Sequence, residues 1–252
     1  MQPDIFEAID QQERTYWWFV GRRRLVRDWF IRHHAAGSGL SRRMLDIGCG
    51  TGAMLEEWMA QGPAVGTDLS PVALRFCRKR GLRRVLLADA THLPFAEGTF
   101  AGISAMDVLE HIADDAAAMR ECHRVCAPGG MMLITVPALR WLWSTRDERL
   151  AHQRRYHRAE LMTVARQAGF TLVKCSYSSL SLFFPFAAIV LLNRLMSRTP
   201  DFRQDVPRLS GKANRILLAL LLAEQWLLRW VNYPFGVSLF CVLQKPLSAV
   251  SP

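Results

Sequence analysis

Met44-Leu45-Asp46-Ile47 runs without a break into Gly48-Cys49-Gly50-Thr51-Gly52, and few folds accommodate that. A short apolar strand must turn sharply into a helix, over glycines that let the backbone come close to a ligand. The stretch 53–61 then reads as a helix ending near Gly62, and 64–69 as a second strand. Ser70-Pro71 starts the next helix, with Ser as N-cap and Pro at the first helical position. Strands follow at 84–88 and 101–106, an amphipathic helix at 114–126, and a fifth strand at 131–136 after the break Pro128-Gly129-Gly130. A helix over 158–168 stops at Gly169, and 170–177 and 237–245 complete the strands. Short apolar strands alternating with helices predict an α/β fold on a parallel sheet. A chain of 252 residues suits one domain with an elaboration.

The strand ends carry acids at regular intervals. Asp68 ends the second strand, 22 residues after Asp46, where a carboxylate can accept both hydroxyls of a ribose. Asp89-Ala90 ends the third, within reach of an adenine amino group, and Asp107-Val108-Leu109-Glu110-His111 follows the fourth. This ladder resembles the class I S-adenosylmethionine-dependent methyltransferases over 43–177 and the last strand. It departs from the nicotinamide fingerprint, because the glycines run G-x-G-x-G with an acid two residues before the first. Ala-Pro-Gly-Gly at 127–130 is similar to the family's turn before strand five. Tyr16-Trp17-Trp18-Phe19-Val20-Gly21-Arg22-Arg23-Arg24 is similar to a subgroup of bacterial members.

The resemblance implies a Rossmann-like, mostly parallel sheet of about seven strands. Helices would cover both faces, and an apolar helical insertion would precede the last strand. It divides the chain into an N-terminal helical cap (1–40), a cofactor-binding core (41–177), the insertion (178–236) and the last strand with its tail (237–252). S-adenosylmethionine is the implied cofactor. Asp46 resembles the acid that orders the glycine loop and the methionine amino end, while Gly48, Cys49 and Gly50 line the cofactor. Asp68 with Leu69 matches the ribose side, Asp89 and Ala90 the adenine side, and Met106 with Asp107 the strand under the methionine moiety. Arg22 is a bolder assignment: from a capping helix it could bind the cofactor carboxylate bidentately.

A sulfonium supplies an activated methyl, so such an enzyme needs chiefly to align an acceptor and exclude water. A base is needed only for an acceptor that arrives protonated. His111, His152 and Tyr156 are the candidates, since segments after strands four and five border the crevice. Glu110 either holds a cationic acceptor or is a helix N-terminal acid favoured by the macrodipole. Cys122 and Cys126 around His123 make a poor zinc set, so no metal is expected.

The balance of 32 basic and 22 acidic residues favours anionic partners, and only four of the basic ones are Lys. The charge is spread rather than blocked, and the position after strand four reads Asp107-Val-Leu-Glu, without the Asn/Asp-Pro-Pro-Tyr/Phe motif of base-amino methylation. A nucleic-acid methyltransferase is an alternative this motif argues against, and a non-catalytic cofactor-binding subunit is another. The insertion contains an apolar run at 180–192 and a Leu-rich helix at 216–230, separated by the polar loop 198–212. Both runs fall short of the roughly 20 apolar residues of a membrane span. Strand six is expected to run parallel to the central strands, so that the chain from Ser178 emerges beside the site. A greasy, Arg-flanked cap there implies a small apolar acceptor, lipid- or isoprenoid-like, methylated at O, N or C. With no leader peptide evident at Met1, a cytoplasmic location is expected, with peripheral contact at the inner face of the membrane as an open addition.

Overall fold

The computed structural model describes residues 3–33, 43–196 and 209–247. The expected boundary at residue 40, most of the polar loop 198–212 and the end of the tail lie outside the described residues. Helices α1 (Pro3–Gln12) and α2 (Trp17–His33) lead into β1 (Met44–Ile47), α3 (Ala53–Met59), β2 (Ala64–Asp68), α4 (Pro71–Lys79) and β3 (Val85–Leu87). Then come β4 (Phe100–Met106), α5 (Asp115–Val125), β5 (Cys126–Pro137), α6 (Thr145–Arg149), α7 (Arg158–Gln167) and β6 (Thr171–Ser178). Two apolar helices, α8 (Leu180–Leu195) and α9 (Gly211–Leu227), precede β7 (Ser238–Gln244). The seven strands form one sheet in the order β3-β2-β1-β4-β5-β7-β6. Only β7 is antiparallel, to β5 and to β6, so β6 points the same way as the central strands.

Alternation along the strands builds a core on each face of the sheet. Met132 and Ile134 of β5 pack with Met119 and Leu161 from α5 and α7, while Met131 and Leu133 turn to the other face. There they meet Trp29 of α2 and Trp58 of α3, and the Phe30 and Trp58 rings pack edge to face at 5.3 Å. The second N-terminal helix is thus a structural layer as well as a cover. Ser70 caps α4, accepting from Ala73 N at 3.4 Å with Pro71 next in line, as its sequence predicts.

Ala127-Pro128-Gly129-Gly130 differs from the expected turn, because it lies inside β5. Cys126 already pairs with Phe100, and the register shifts before Gly102 pairs with Met131. Gly129 takes a φ of 77° and donates its N–H to Lys245 O at 2.9 Å, so the glycines form an irregularity that stays within the sheet. The apolar run at 180–192 is helical throughout α8, with Pro185 inside it. Among the described residues no helix is long and apolar enough to cross a membrane.

Candidate active site

The parallel strands β1 to β5 bring their C-terminal ends to one edge of the sheet. Chain order reverses between β1 and β4, which is where an open α/β sheet presents its crevice. Gly48, Gly50 and Gly52 after β1 take positive φ of 63°, 55° and 101°. A Cβ on Gly48 would stand 2.5 Å from Val108 Cγ2, so the loops after β1 and β4 touch. Asp68 holds this turn, its Oδ2 accepting from Gly50 N at 2.9 Å and its Oδ1 from Ser70 N at 2.8 Å. Burial raises its carboxyl against those two N–H groups.

Asp46 is buried below the loop. Trp58 Nε1 donates to Ser104 Oγ at 2.8 Å, and Ser104 Oγ donates in turn to Asp46 Oδ1 at 2.6 Å. Asp46 Oδ2 is buried with no hydrogen-bond partner among the described residues. Burial pushes this carboxyl up to about 7, against the Ser104 bond, with Asp68 and Glu13 adding to the rise. A buried carboxylate oxygen without a donor is costly until a cation or a donor meets it. From beyond α1, Glu13 accepts a hydrogen bond from Thr51 Oγ1 of the glycine loop.

Asp107 follows β4 in the left-handed region, at a φ of 56°. Its carboxylate is gripped by Arg22 of α2 through Nη1 to Oδ2, and through Nη2 to Oδ1 at 2.5 Å; Nη2 also donates to Thr135 Oγ1 at 2.6 Å. Burial would raise this carboxyl, but the Arg22 charge and hydrogen bonds hold it below the usual range. Beyond Asp107, a short 3₁₀ turn (Leu109–His111) carries Glu110 and His111. His152 joins them from the chain after α6, its ring 4.8 Å from that of His111 and its Nε2 3.9 Å from Glu110 Oε1. His152 Nδ1 donates to Asp147 Oδ1 at 2.9 Å, and Arg155 clamps Asp147 at 2.8 and 2.9 Å. Burial opposes ionisation of Asp147, yet His152 and Arg155 hold its carboxyl far down.

Residues 45–134 match the model of a methyltransferase domain family. That stretch carries a methyltransferase domain, and the sheet with its helices has the Rossmann-like methyltransferase fold. A ubiquinone biosynthesis O-methyltransferase of Bordetella bronchiseptica is 33 % identical over 107 residues, 40 % of this chain and 44 % of that protein. A demethylmenaquinone methyltransferase of Thermus thermophilus is 38 % identical over 101 residues, 37 % of this chain and 46 % of the relative. The chain thus spans under half the length of the curated relatives it matches. The crystal structure of an S-adenosylmethionine-dependent methyltransferase from Archaeoglobus fulgidus shares the fold, at a TM-score of 0.54 and 21 % identity over 88 % of this chain and 94 % of that one.

The acids expected at the strand ends do come to one edge, but several expected residues are engaged otherwise. The Arg22 guanidinium is occupied by Asp107 and Thr135, so it orients an acid of the site instead of standing ready for a carboxylate. The Cys49 thiol is buried 4.0 Å from the Cys77 thiol, and Cys49 N bonds to Thr67 O, so its side chain packs beneath the loop. Tyr156 is 2 % exposed, and its hydroxyl donates to Asp115 Oδ2 at 2.6 Å; burial and that acid push the phenol far up. It is a core residue, its hydroxyl also 3.3 Å from Leu109 O in the turn that carries His111. Asp89 is exposed and binds Thr91 N and Oγ1 at 2.8 and 2.9 Å, with Ala90 half-buried beside it. Leu69, next to Asp68, is 69 % exposed. Met106 is half-buried at the end of β4. Sequence reasoning missed Asp147, Glu13 and Ser104. Only Asp147 had a local signal, the Ser144-x-x-Asp147 capping box that starts α6.

Proposed function

We infer that this chain binds S-adenosylmethionine in the crevice between β1 and β4 and methylates a small, apolar acceptor. The observation that carries the first half is the buried, unpartnered Asp46 Oδ2 beneath the glycine turn, which suits the ammonium of an amino acid. Asp68, anchored by two backbone N–H groups, keeps further lone pairs for ribose hydroxyls. The bound sulfonium supplies the methyl; the chain's task is to seat the acceptor in line with it and keep water out. Arg22 fixes Asp107 at the crevice, and Asp147 holds His152 by Nδ1, leaving Nε2 as an acceptor for a proton or another cation.

The apolar acceptor is supported by where α8 and α9 pack. α9 lies on α2, with Gln225 Nε2 donating to Gly21 O at 3.0 Å, one residue from Arg22. α8 reaches the segment after β5: the Phe183 ring packs edge to face on Trp141 at 5.8 Å, and Arg194 donates to Trp141 O at 2.6 Å. Both helices therefore sit at the edge that carries the acids, and they expose Phe184, Leu192, Leu195, Ile216 and Trp226, with Trp230 exposed in the turn after α9. Quinone-directed activity in two relatives of partial overlap agrees with an apolar acceptor.

The test uses methyl-labelled S-adenosylmethionine with an extract of the native host, partitioned into solvent-soluble, aqueous, protein and nucleic-acid fractions. Label in the solvent fraction is expected; label in nucleic acid would overturn the acceptor class. Asp68→Ala should weaken S-adenosylmethionine binding by about 1–3 kcal/mol, roughly 5- to 150-fold in Kd. Calorimetry checks this, and unchanged affinity would remove the ribose assignment.

A further inference from the structure

One nitrogen of His111, one of His152 and one carboxylate oxygen of Glu110 lie within 4.8 Å of one another. Glu110 is 0 % exposed, and neither of its oxygens has a hydrogen-bond partner. A carboxylate buried in that way is held only if a proton or another positive charge meets it. The protein cations nearby are committed elsewhere: Arg22 to Asp107, and Arg155 to Asp147.

Both imidazoles present Nδ1 to an acceptor, and His152 Nε2 lies 3.9 Å from Glu110 Oε1. His152 Nδ1 donates to ionised Asp147 at 2.9 Å, and His111 Nδ1 lies 3.3 Å from Ala151 O, a carbonyl that can only accept. Each Nδ1 therefore carries the hydrogen, and each Nε2 keeps its lone pair. Two imidazole nitrogens and a carboxylate oxygen then meet where, among the described residues, neither Glu110 oxygen has a hydrogen-bond partner. A single shared proton bridges at most two of them, whereas a metal ion takes all three. We propose that Glu110, His111 and His152 form a site for a divalent transition-metal ion of the zinc, manganese or iron(II) class. Two imidazoles and one carboxylate, with positions left open, are a donor set those ions accept. The carboxylate–histidine pair Asp147–His152 is the outer support such sites use to orient a ligand. Bonds of about 2.0–2.2 Å would draw the ligand atoms inward by roughly an ångström, a movement a turn and a loop can make. The expectation of no metal came from weighing Cys122 and Cys126, which are elsewhere in the fold; the set found here joins two segments about 40 residues apart.

The full chain, stripped with a chelator and desalted, is titrated with Zn²⁺ and separately with Mn²⁺ by calorimetry. One ion per chain is expected. Glu110→Gln and His111→Ala should each weaken binding at least tenfold, and Asp147→Asn by about 10- to 100-fold through His152. His123→Ala, which alters a histidine packed on Phe170, should leave it unchanged. Circular dichroism confirms that each variant is folded, and His111→Ala, at a half-buried position, stands in if Glu110→Gln is not. No ion bound by the native chain, or equal binding by Glu110→Gln and His111→Ala, would overturn the site. S-adenosylmethionine binding is titrated separately on the metal-free chain, so loss of one reading leaves the other distinguishable.

Discussion

Asp46 shows how one side chain reads differently before and after folding. In the sequence it is an acid two residues before a glycine turn; in the fold it is a buried carboxyl bonded on one oxygen and bare on the other. Its folded pKa near 7 stands well above the unfolded value of about 4. A raised folded pKa means that the native state binds the proton more tightly. Its contribution to stability is then full below about pH 4 and declines as pH rises through 7. Unfolding free energy from urea titrations should fall between about pH 5 and 7, and Asp46→Asn should flatten that slope by up to about 1.4 kcal/mol per pH unit. An unchanged slope in Asp46→Asn would assign the bare oxygen no energetic weight. Asp107 was equally legible as a strand-end acid, but its partner Arg22 lies 85 residues away, and no local pattern links the two.

Among the elements, α8 is the one whose sequence and setting disagree most. Its run is apolar on all sides, carries Pro185 and begins after Ser179, whose φ of 59° offers no side-chain cap. The missing cap comes from α9: Glu224 accepts from Leu180 N, from Ser181 N at 3.3 Å and from Ser181 Oγ at 2.8 Å. In the sequence Glu224 reads as an interruption of a Leu-rich helix. In the fold it neutralises another helix's N-terminal N–H groups, a placement the macrodipole favours. Glu224→Ala should cost about 1 kcal/mol, measured as a lower Tm, with loss of helicity near α8 visible by hydrogen exchange at Leu180 and Ser181. The strands other than β5, and the start of α4, were readable to within a residue or two, because alternation and an N-cap are local signals. The glycine irregularity within β5 was not, since only pairing with β4 and β7 keeps that segment in the sheet.

For the whole molecule, an exposed apolar surface at α8, α9 and the turn after α9 accompanies a net charge of +10. Trp226 and Trp230 stand 53 % and 76 % exposed near Arg229, so both apolar and basic groups are available to an anionic lipid surface. Vesicles containing anionic lipid should blue-shift the tryptophan fluorescence and sediment with the protein, and Trp230→Ala with Leu192→Ala should weaken that several-fold. Equal sedimentation with neutral and anionic vesicles would remove the electrostatic part.

By itself the sequence determined the strand–glycine–helix unit, the acids at successive strand ends and the likeness to a methyltransferase. All of these rest on spacing within one or two elements, which backbone sterics and side-chain period enforce locally. Tertiary structure alone decided that Arg22 serves Asp107, that Tyr156 belongs to the core, and that Glu110, His111 and His152 converge. Those outcomes depend on which segments the sheet order brings side by side and which charges are left without water, and neither quantity exists until the chain has folded.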